Sequence, residues 1–285
     1  MLGSNGPKQY INKKRLMSTK FINIKLIPII IWRIIFMLKL YDLCGKNNVR
    51  FSPACWNIKL CLIFKGIPFE TVPVGFSEKY KIQFSNQELV PIITDKDVFV
   101  CDSWNIINLL DKNYTEKPLF INTANKNFSH FLYYWSSRQL LPELFKIIAN
   151  DIPNILDKED LEYYIKTREA RIKGSLSEFK PFISSTIKHF RKLISPIRAI
   201  IKEKGYISGN TPGLEDFIFF GNFKWVKMCS NYDLLAHFHC LIEELTLLLF
   251  EHNNELVQKH LLYLKIALSL LLKQKTLCIL FHEYG

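Results

Sequence analysis

The sequence predicts an α/β domain followed by an all-α domain. Strand-like and helix-like segments alternate up to about residue 114, whereas only helical periodicity is found from about residue 121 onwards. With 285 residues, of which 48% are hydrophobic and 22% are charged, the chain can bury two cores and has a globular composition. We therefore expect domains over residues 39–114 and 121–230, joined by a linker at 115–120.

The net charge of +12 is concentrated at the N-terminus. Residues 1–40 hold eight of the 38 Lys and Arg residues and none of the 26 Asp and Glu residues. The rest of the chain is only mildly basic, so the charge does not call for a nucleic-acid partner. We expect residues 1–38 to form a basic and apolar extension that is not part of the fold.

Residues 21–40 are strongly apolar and raise the question of a membrane segment. Lys25, Pro28, Arg33 and Lys39 interrupt the run, and a charge near the middle of a membrane span is costly. A secretory signal and a mitochondrial transit peptide also fit the composition poorly. Membrane attachment through residues 21–40 is therefore disfavoured, although it stays open as an alternative.

Seven cysteines lie at scattered spacings within apolar segments. The sequence has no CxxC motif and no Cys/His spacing that is typical of a zinc site, so we expect no metal. Free thiols are typical of a reducing compartment, and we expect a cytoplasmic protein.

The α/β domain begins with a short strand, Lys39–Leu43, and a helix over Pro53–Lys65. Ser52 is placed to cap this helix, Pro53 suits its first position, and Gly66 suits its end. The first N–H groups of a helix have no partner within it. This helix start therefore presents a hydroxyl beside free donors, which can stabilise an anion such as a thiolate.

Three more strands and a second helix follow. They are predicted at Phe69–Val74, Val90–Thr94, Val98–Cys101 and Trp104–Asn113, with a hairpin turn at Asp95-Lys96-Asp97 and Ser103 opening the helix. A crossover unit followed by a hairpin is typical of a thioredoxin-like domain.

Four landmarks of this domain resemble glutathione S-transferases. In chain order they are Ser52-Pro53, the segment from Lys65 to Glu70, Val90-Pro91 and Asp102-Ser103. Within that family the closest resemblance is to a fungal and bacterial group related to beta-etherases. The resemblance implies a cytoplasmic, dimeric detoxification enzyme. Its co-substrate would be glutathione, whose thiolate it conjugates or transfers to a small apolar electrophile.

The resemblance also implies a role for each landmark. Ser52 would be the catalytic residue, whose hydroxyl stabilises the thiolate. Pro91 resembles the cis-proline of the family, next to which the backbone of Val90 pairs with the cysteinyl part of glutathione. Ser103 would hold the γ-glutamyl carboxylate, and Asp102 would accept from its ammonium group. The structural alternatives are helix capping for Ser52, Asp102 and Ser103, and an ordinary trans proline.

Further candidates surround these landmarks. Cys55 stands where thiol oxidoreductases of similar fold carry the second cysteine of Cys-x-x-Cys, and a reactive Cys55 stays an alternative to Ser52. Trp56, Tyr134 and Arg138 are candidates for an acceptor pocket, although aromatic residues on an amphipathic helix more often belong to the core.

The second domain is predicted to be helical throughout. Residues 125–149 carry apolar side chains at helical spacing, and Pro142 is expected to kink that helix. The segment from Tyr206 to Asp216 resembles the family's turn into a central buried helix, with Gly213 where Ser or Thr is usual. Residues 231–285 show no such resemblance and are expected to be a divergent helical tail.

Two further alternatives remain open. A protein of this architecture that has lost catalysis would act as a binding or scaffold protein, and glutathione bound to it would keep the thiol pKa that it has in solution. In the other alternative, the two ends of the chain are translated from non-coding sequence and do not belong to the native protein. A mass measurement of the native protein tests this.

Overall fold

The first domain contains a four-stranded sheet. The computed structural model describes residues 37–95 and 98–234. Its strands are β1 (Leu38–Leu43), β2 (Phe69–Val74), β3 (Ile92–Asp95) and β4 (Val98–Cys101). Their order is β2-β1-β3-β4, with β1 parallel to β2 and β3 antiparallel to both of its neighbours. This mixture of a parallel crossover pair and an antiparallel hairpin confirms the predicted thioredoxin-like domain.

Two strand boundaries correct the predictions. Leu38, which the sequence pattern assigns to the extension, pairs with Phe69 and is only 2% exposed, so it belongs to the sheet. The third strand starts at Ile92 rather than Val90. The reason is that Pro91 has no N–H to donate to a strand ladder.

Some predicted segments lie outside the described residues. They are the extension as far as residue 36, the turn residues Lys96 and Asp97, and the tail from residue 235 onwards.

Helix α1 covers Pro53–Lys65, as predicted. The Ser52 side chain accepts a hydrogen bond from the N–H of Cys55 at 3.2 Å, and Gly66 ends the helix in the left-handed region with φ of 68°. Both ends are therefore fixed by local chemistry. Most of the helix is buried, because the sheet and the helical domain pack on different sides of it.

Helix α2 covers Ser103–Asn113 and is capped by Asp102 rather than by Ser103. The Asp102 carboxylate accepts from the N–H groups of Trp104 at 2.9 Å and Asn105 at 3.1 Å. The helix capping given as the structural alternative for Asp102 is thus present, because a short carboxylate reaches the N–H groups two and three residues ahead of it. Asp102 has φ of 71°, a left-handed conformation that non-glycine residues rarely adopt.

The segment after α2 is held against α1 by Lys65. The Lys65 ammonium donates to the carbonyls of Tyr114 and Lys117, both at 2.7 Å, and lies 3.5 Å from Asp111. Its side chain is only 1% exposed. A buried ammonium with these partners fixes the path of the chain from the first domain to the second.

The regular elements of the second domain that the structure describes are helices. Its helices are α3 (Thr123–Trp135), α4 (Leu141–Ile148), α5 (Lys158–Ile172), α6 (Ile183–Leu193), α7 (Ser195–Lys204) and α8 (Leu214–Cys229). Shorter turns of 3-10 helix connect several of them. The predicted order of an α/β domain and an all-α domain is thus confirmed.

The kink expected at Pro142 is a π-helical turn, Ser136–Leu140, between α3 and α4. Pro142 has no N–H to donate to the carbonyl four residues earlier. The N–H of Leu141 instead donates to the carbonyl of Ser136, five residues back. The two helices therefore follow each other through a wider turn that contains one extra residue.

The loop before α8 is held by Asp216. Its carboxylate accepts from the N–H groups of Ile207 at 2.7 Å, Ser208 at 3.1 Å and Gly213 at 3.1 Å. A Cβ atom on Gly213 would lie 2.5 Å from the Ser208 hydroxyl oxygen. A side chain at this position would therefore have to displace Ser208, and Asp216 still reaches back to cap the helix.

Helices α1 and α8 are in direct contact across the two domains. A Cβ atom on Gly221 of α8 would collide with the side-chain amide of Asn57 and lie 2.7 Å from the Pro53 carbonyl. With its nitrogen facing these carbonyls, the Asn57 amide donates to Pro53 at 3.1 Å and to Phe217 at 2.9 Å. The absent side chain at Gly221 thus allows α8 to approach the first turn of α1.

We expect Gly221→Ala to lower the free energy of unfolding by about 1–3 kcal/mol, because the added methyl group must displace Asn57 or the Pro53 carbonyl. Urea denaturation measures this change. Lys227→Ala, at an exposed position of the same helix, is the matched control, for which we expect less than about 0.5 kcal/mol. Equal stabilities for the two variants would show that the helices are not in close contact at Gly221.

Candidate functional site

Three chain segments meet at one end of the sheet. Helix α1 starts after the C-terminal end of β1, and β3 begins with Ile92, which pairs with Tyr41 of β1 and with Cys101 of β4. Asp102 and Ser103 follow Cys101 directly. The register therefore places the start of α1, the loop before β3 and the start of α2 at the same edge.

The Ser52 hydroxyl lies at the start of α1 and is 6% exposed. Its oxygen accepts from the Cys55 N–H, and its own proton forms no hydrogen bond to an oxygen or nitrogen of the described residues, although the Cys55 thiol lies within its reach. The backbone N–H of Ala54 is also without a partner in this part of the chain. These two donors and the dipole of α1 can together stabilise a negatively charged sulfur atom.

The peptide bond between Val90 and Pro91 is cis, as the resemblance implies. Neither the N–H nor the carbonyl of Val90 has a backbone hydrogen bond within residues 37–95 and 98–234. An extended ligand segment can pair with such free backbone groups as an added strand does.

The residues predicted to hold the γ-glutamyl group already have partners in the protein. Asp102 uses Oδ1 to cap α2. The Ser103 hydroxyl is buried and lies 2.9 Å from the hydroxyl of Tyr133 on α3. Burial raises the pKa of the Tyr133 phenol, so this hydroxyl keeps its proton at neutral pH. What remains for a ligand is the second carboxylate oxygen of Asp102 and the start of α2.

Cys55 is not placed as a reactive thiol. Its side chain is fully buried, and its sulfur lies 3.9 Å from the carbonyl of Tyr41. Burial, and secondarily the Asp42 carboxylate, raise the pKa of the Cys55 thiol well above its ordinary value. The structure therefore favours Ser52 over Cys55 as the group that faces a ligand.

Ser52 lines a cavity of about 530 Å³ between the two domains. Most of its walls are apolar or aromatic, and they come from β1, the start of α1, the loop after β2 and the helical domain. The aromatic side chains that line it are Phe51, Phe76, Phe145, Tyr164, Phe179 and Trp225. A volume of this size suits a small organic molecule.

Three hydroxyl groups line this cavity, and two of them are engaged. Tyr164 donates to the carbonyl of Ala149 at 2.9 Å, and Ser137 donates to the carbonyl of Tyr134 at 3.0 Å. Within the described residues, Ser52 is the lining residue whose hydroxyl proton is not bonded to a protein oxygen or nitrogen, since its one neighbour of this kind is the weakly accepting Cys55 thiol. This makes Ser52 the available neutral donor for an anion in the cavity.

Trp56, Tyr134 and Arg138, which were predicted for an acceptor pocket, do not line this cavity, and a role for them in acceptor binding stays a prediction. The indole N–H of Trp56 donates to the carbonyl of Arg50 at 2.9 Å, and the Arg138 guanidinium lies 5.3 Å from the centre of the Tyr134 ring. Helical spacing predicts which residues share a face, but the packing of the helices decides which face borders the cavity.

Sequence reasoning missed the cationic residues of the cavity wall, which are Lys146, Arg168 and Arg171. The two arginines lie three residues apart on α5, a spacing that places them on one face of the helix. This spacing is the one signal in the sequence that could have pointed to them.

Asp160 holds the loop that forms one wall of the cavity. It is 5% exposed and accepts from the N–H of Phe76 at 2.9 Å, the N–H of Ser77 at 2.7 Å and the Ser77 hydroxyl at 2.6 Å. The Phe76 ring stacks on Tyr163 and Tyr164 of the same helix. These contacts attach the loop after β2 of the first domain to α5 of the second.

Within the described ranges, no group of three or more His, Cys, Asp and Glu side chains is arranged to hold a metal ion. In the same ranges, no helix combines the length and the apolar composition that a bilayer crossing requires.

Comparisons with known families match both domains. Residues 48–118 match the family model of the glutathione S-transferase N-terminal domain, and residues 127–235 match that of the glutathione S-transferase C-terminal domain. The two matches together span more than half of the chain. Glutathione S-transferase Z1 of Arabidopsis thaliana is 31% identical over 81 residues, a match that covers 26% of this chain and 36% of that relative. The chain therefore matches about a third of the length of this relative.

Solved structures show the same fold at low sequence identity. A glutathione transferase from Phanerochaete chrysosporium has a TM-score of 0.66 and 17% identity, covering 74% of this chain and 97% of its own. A glutathione S-transferase of Ceriporiopsis subvermispora, solved in complex with glutathione, has a TM-score of 0.65 and 19% identity, covering 76% and 97%.

We expect Asp160→Asn to destabilise the protein by about 1–3 kcal/mol, because an amide leaves at least one partly buried N–H of the loop at residues 76–77 without an acceptor. Denaturant unfolding measures the change. Glu162→Gln, the same kind of change at an exposed position of α5, is the control and should be nearly neutral. If the two variants proved equally stable, Asp160 would not be what holds the loop.

We expect the Cys55 thiol to react with iodoacetamide more than about tenfold slower in the folded protein than in the urea-unfolded chain, because it is buried and its pKa is raised. Mass spectrometry of peptides after brief labelling gives the rates. Cys101 is partly exposed and serves as the comparator within the same sample. Rapid labelling of Cys55 in the native state would restore it as a candidate for the reactive group.

Proposed function

Because the chain belongs to the glutathione S-transferase family, we propose that it transfers the glutathione thiolate to a small apolar electrophile. In this reaction the sulfur attacks an electrophilic carbon, an S–C bond forms, and the leaving group departs with the bonding electron pair. The observation that carries the proposal is the Ser52 hydroxyl, which lines the cavity and donates to no oxygen or nitrogen of the described residues.

Ser52 acts by binding the charged form of the sulfur more strongly than the neutral thiol. A hydrogen bond to a charged group contributes about 1.5–3 kcal/mol, which corresponds to a thiol pKa lowered by about one to two units. The unpaired N–H of Ala54 and the dipole of α1 act in the same direction. A larger fraction of bound glutathione is then thiolate at neutral pH.

The rest of the glutathione molecule would extend along the same end of the sheet. The free backbone groups of Val90 pair with its cysteinyl part, next to Pro91. Its γ-glutamyl carboxylate lies at the start of α2 beside Ser103, and the second carboxylate oxygen of Asp102 accepts from its ammonium group. The sulfur is thereby directed towards Ser52.

The cavity supplies the second substrate. Its apolar and aromatic walls bury a small electrophile beside Ser52, and this proximity converts a bimolecular encounter into a step within one complex. A homodimer, a cytoplasmic location, a role in detoxification and the closer kinship with the beta-etherase group remain predictions.

We expect Ser52→Ala to lower kcat/KM for glutathione about 10–100-fold near neutral pH, because the thiolate loses its hydroxyl donor. The loss should shrink as pH rises above the thiol pKa of the variant complex, because the thiolate then forms without assistance. The pH profile of kcat/KM and the ultraviolet absorbance of the bound thiolate measure both effects.

Two controls accompany this variant. Ser52→Thr keeps a hydroxyl and should retain most of the activity, whereas Ser137→Ala removes a lining hydroxyl whose proton is already used and should leave the pH profile unchanged. If glutathione bound to the wild-type protein kept its solution pKa, the chain would be a binding or scaffold protein, and the proposal of catalysis would fail.

A further inference from the structure

The cavity beside Ser52 carries positive charge that its own walls do not balance. Lys146, Arg168 and Arg171 line it, and within the described part of the chain no Asp or Glu does. Lys146 is neutralised by Glu143, whose carboxylate lies 2.5 Å from the Lys146 ammonium. The two arginines have no carboxylate within ion-pair distance among the described residues. Two cationic groups are therefore left to face the cavity.

Arg168 is the deeper of the two, since it is partly buried whereas Arg171 is exposed at the edge of the cavity. Its guanidinium carbon lies 5.1 Å from the centre of the Phe76 ring and 5.5 Å from that of Tyr164. Burial and the charge of Arg171 lower the pKa of Arg168, but an arginine stays protonated in proteins. Stacking on aromatic rings compensates only part of the cost of such a half-buried cation.

Most of the Arg168 donors are unused. One donor, Nη1, bonds to the Thr167 hydroxyl at 2.9 Å. A guanidinium carries five N–H groups in a planar fork, which matches the two oxygens of a carboxylate. The cation–π contacts with Phe76 and Tyr164 restrict where this guanidinium can move, so less side-chain entropy remains to be lost when an anion binds.

The remaining walls define the other part of the ligand. Phe145, Phe179 and Trp225 line the same cavity, and Ser52 lies in its wall as well. A molecule that fills about 530 Å³ here is surrounded largely by aromatic and apolar surface, and Arg168 is the deeper of the two unneutralised cations that an anionic group could reach.

We propose that the acceptor is an aromatic electrophile that carries a carboxylate, which Arg168 binds through its guanidinium fork, with Arg171 adding attraction at the cavity edge. This inference rests on the proposed transferase function and names the substrate class of that same site. The carboxylate is not the reacting group. The electrophilic carbon lies at the other end of the aromatic body, towards Ser52.

The test uses two acceptors of similar size, one anionic and one neutral, a chloronitrobenzoate and the corresponding chloronitrobenzamide, each compared with its own uncatalysed rate with glutathione. In both, the glutathione sulfur forms a bond to the ring carbon and chloride leaves with the electron pair of the broken bond. We expect Arg168→Gln to lower kcat/KM for the benzoate about 10–100-fold and to change kcat/KM for the benzamide and KM for glutathione less than about threefold.

Two further variants show whether the loss in kcat/KM comes from the guanidinium fork or from the net charge of the helix. Arg168→Lys keeps the charge but not the fork and should retain part of the preference for the benzoate. Lys166→Gln removes an exposed cation from the same helix and should change neither acceptor, which controls for net charge. An equal loss with both acceptors would make Arg168 a structural residue, and a rise in KM for glutathione would assign it to the other substrate. Either result overturns the proposal.

The inference and the transferase function fail in different ways. If the wild-type protein accelerates both acceptors equally relative to their uncatalysed rates, the inference is wrong and the transferase function stands. If it turns over neither, calorimetric binding of the two compounds decides. Tighter binding of the benzoate that Arg168→Gln abolishes supports the anion site without catalysis, whereas equal binding removes the anion site as well.

Discussion

The contact between α1 and α8 is the constraint on which the rest of the site depends. Helix α1 is enclosed between the sheet of the first domain and the helices of the second, and the gap at Gly221 allows Asn57 to bridge the two helices. Ser52 caps the same helix, so the place of its hydroxyl follows from this packing. A catalytic group on a short loop would lack such support.

The cavity is a product of both domains rather than of either one alone. The first domain contributes Ser52 and the loop that carries Phe76, and the second contributes the cationic and aromatic wall. Asp160 and the Phe76 ring join these two contributions, because the carboxylate holds the loop while the ring supports Arg168. Ser52, which would activate the thiol, and Arg168, which would select the acceptor, therefore belong to two domains that are joined by direct contacts.

The elements of the first domain could be predicted from the sequence because they depend on local chemistry. The residues that line the cavity could not be predicted in this way. The limits of α1 follow from Ser52, Pro53 and Gly66, which act within one helical turn, and the sheet order follows from the alternation of segments. Arg168 lies far along the chain from Ser52, and its position depends on how α5 packs, which no short motif encodes. Trp56 and Tyr134 illustrate the same limit, because an aromatic residue on a helix does not reveal which neighbour it will face.

The π-helical turn between α3 and α4 has a consequence for how such a cavity can change over evolution. Each residue of an α-helix rotates the chain by about 100°, so loss of the single extra residue at Ser136–Leu140 would swing Phe145 and Lys146 more than a quarter turn around the axis of α4. An insertion or deletion of one codon at this point would thus replace the α4 side chains that line the cavity by others from the same helix. Selectivity for the acceptor could then diverge between related chains without any substitution among the residues that touch it.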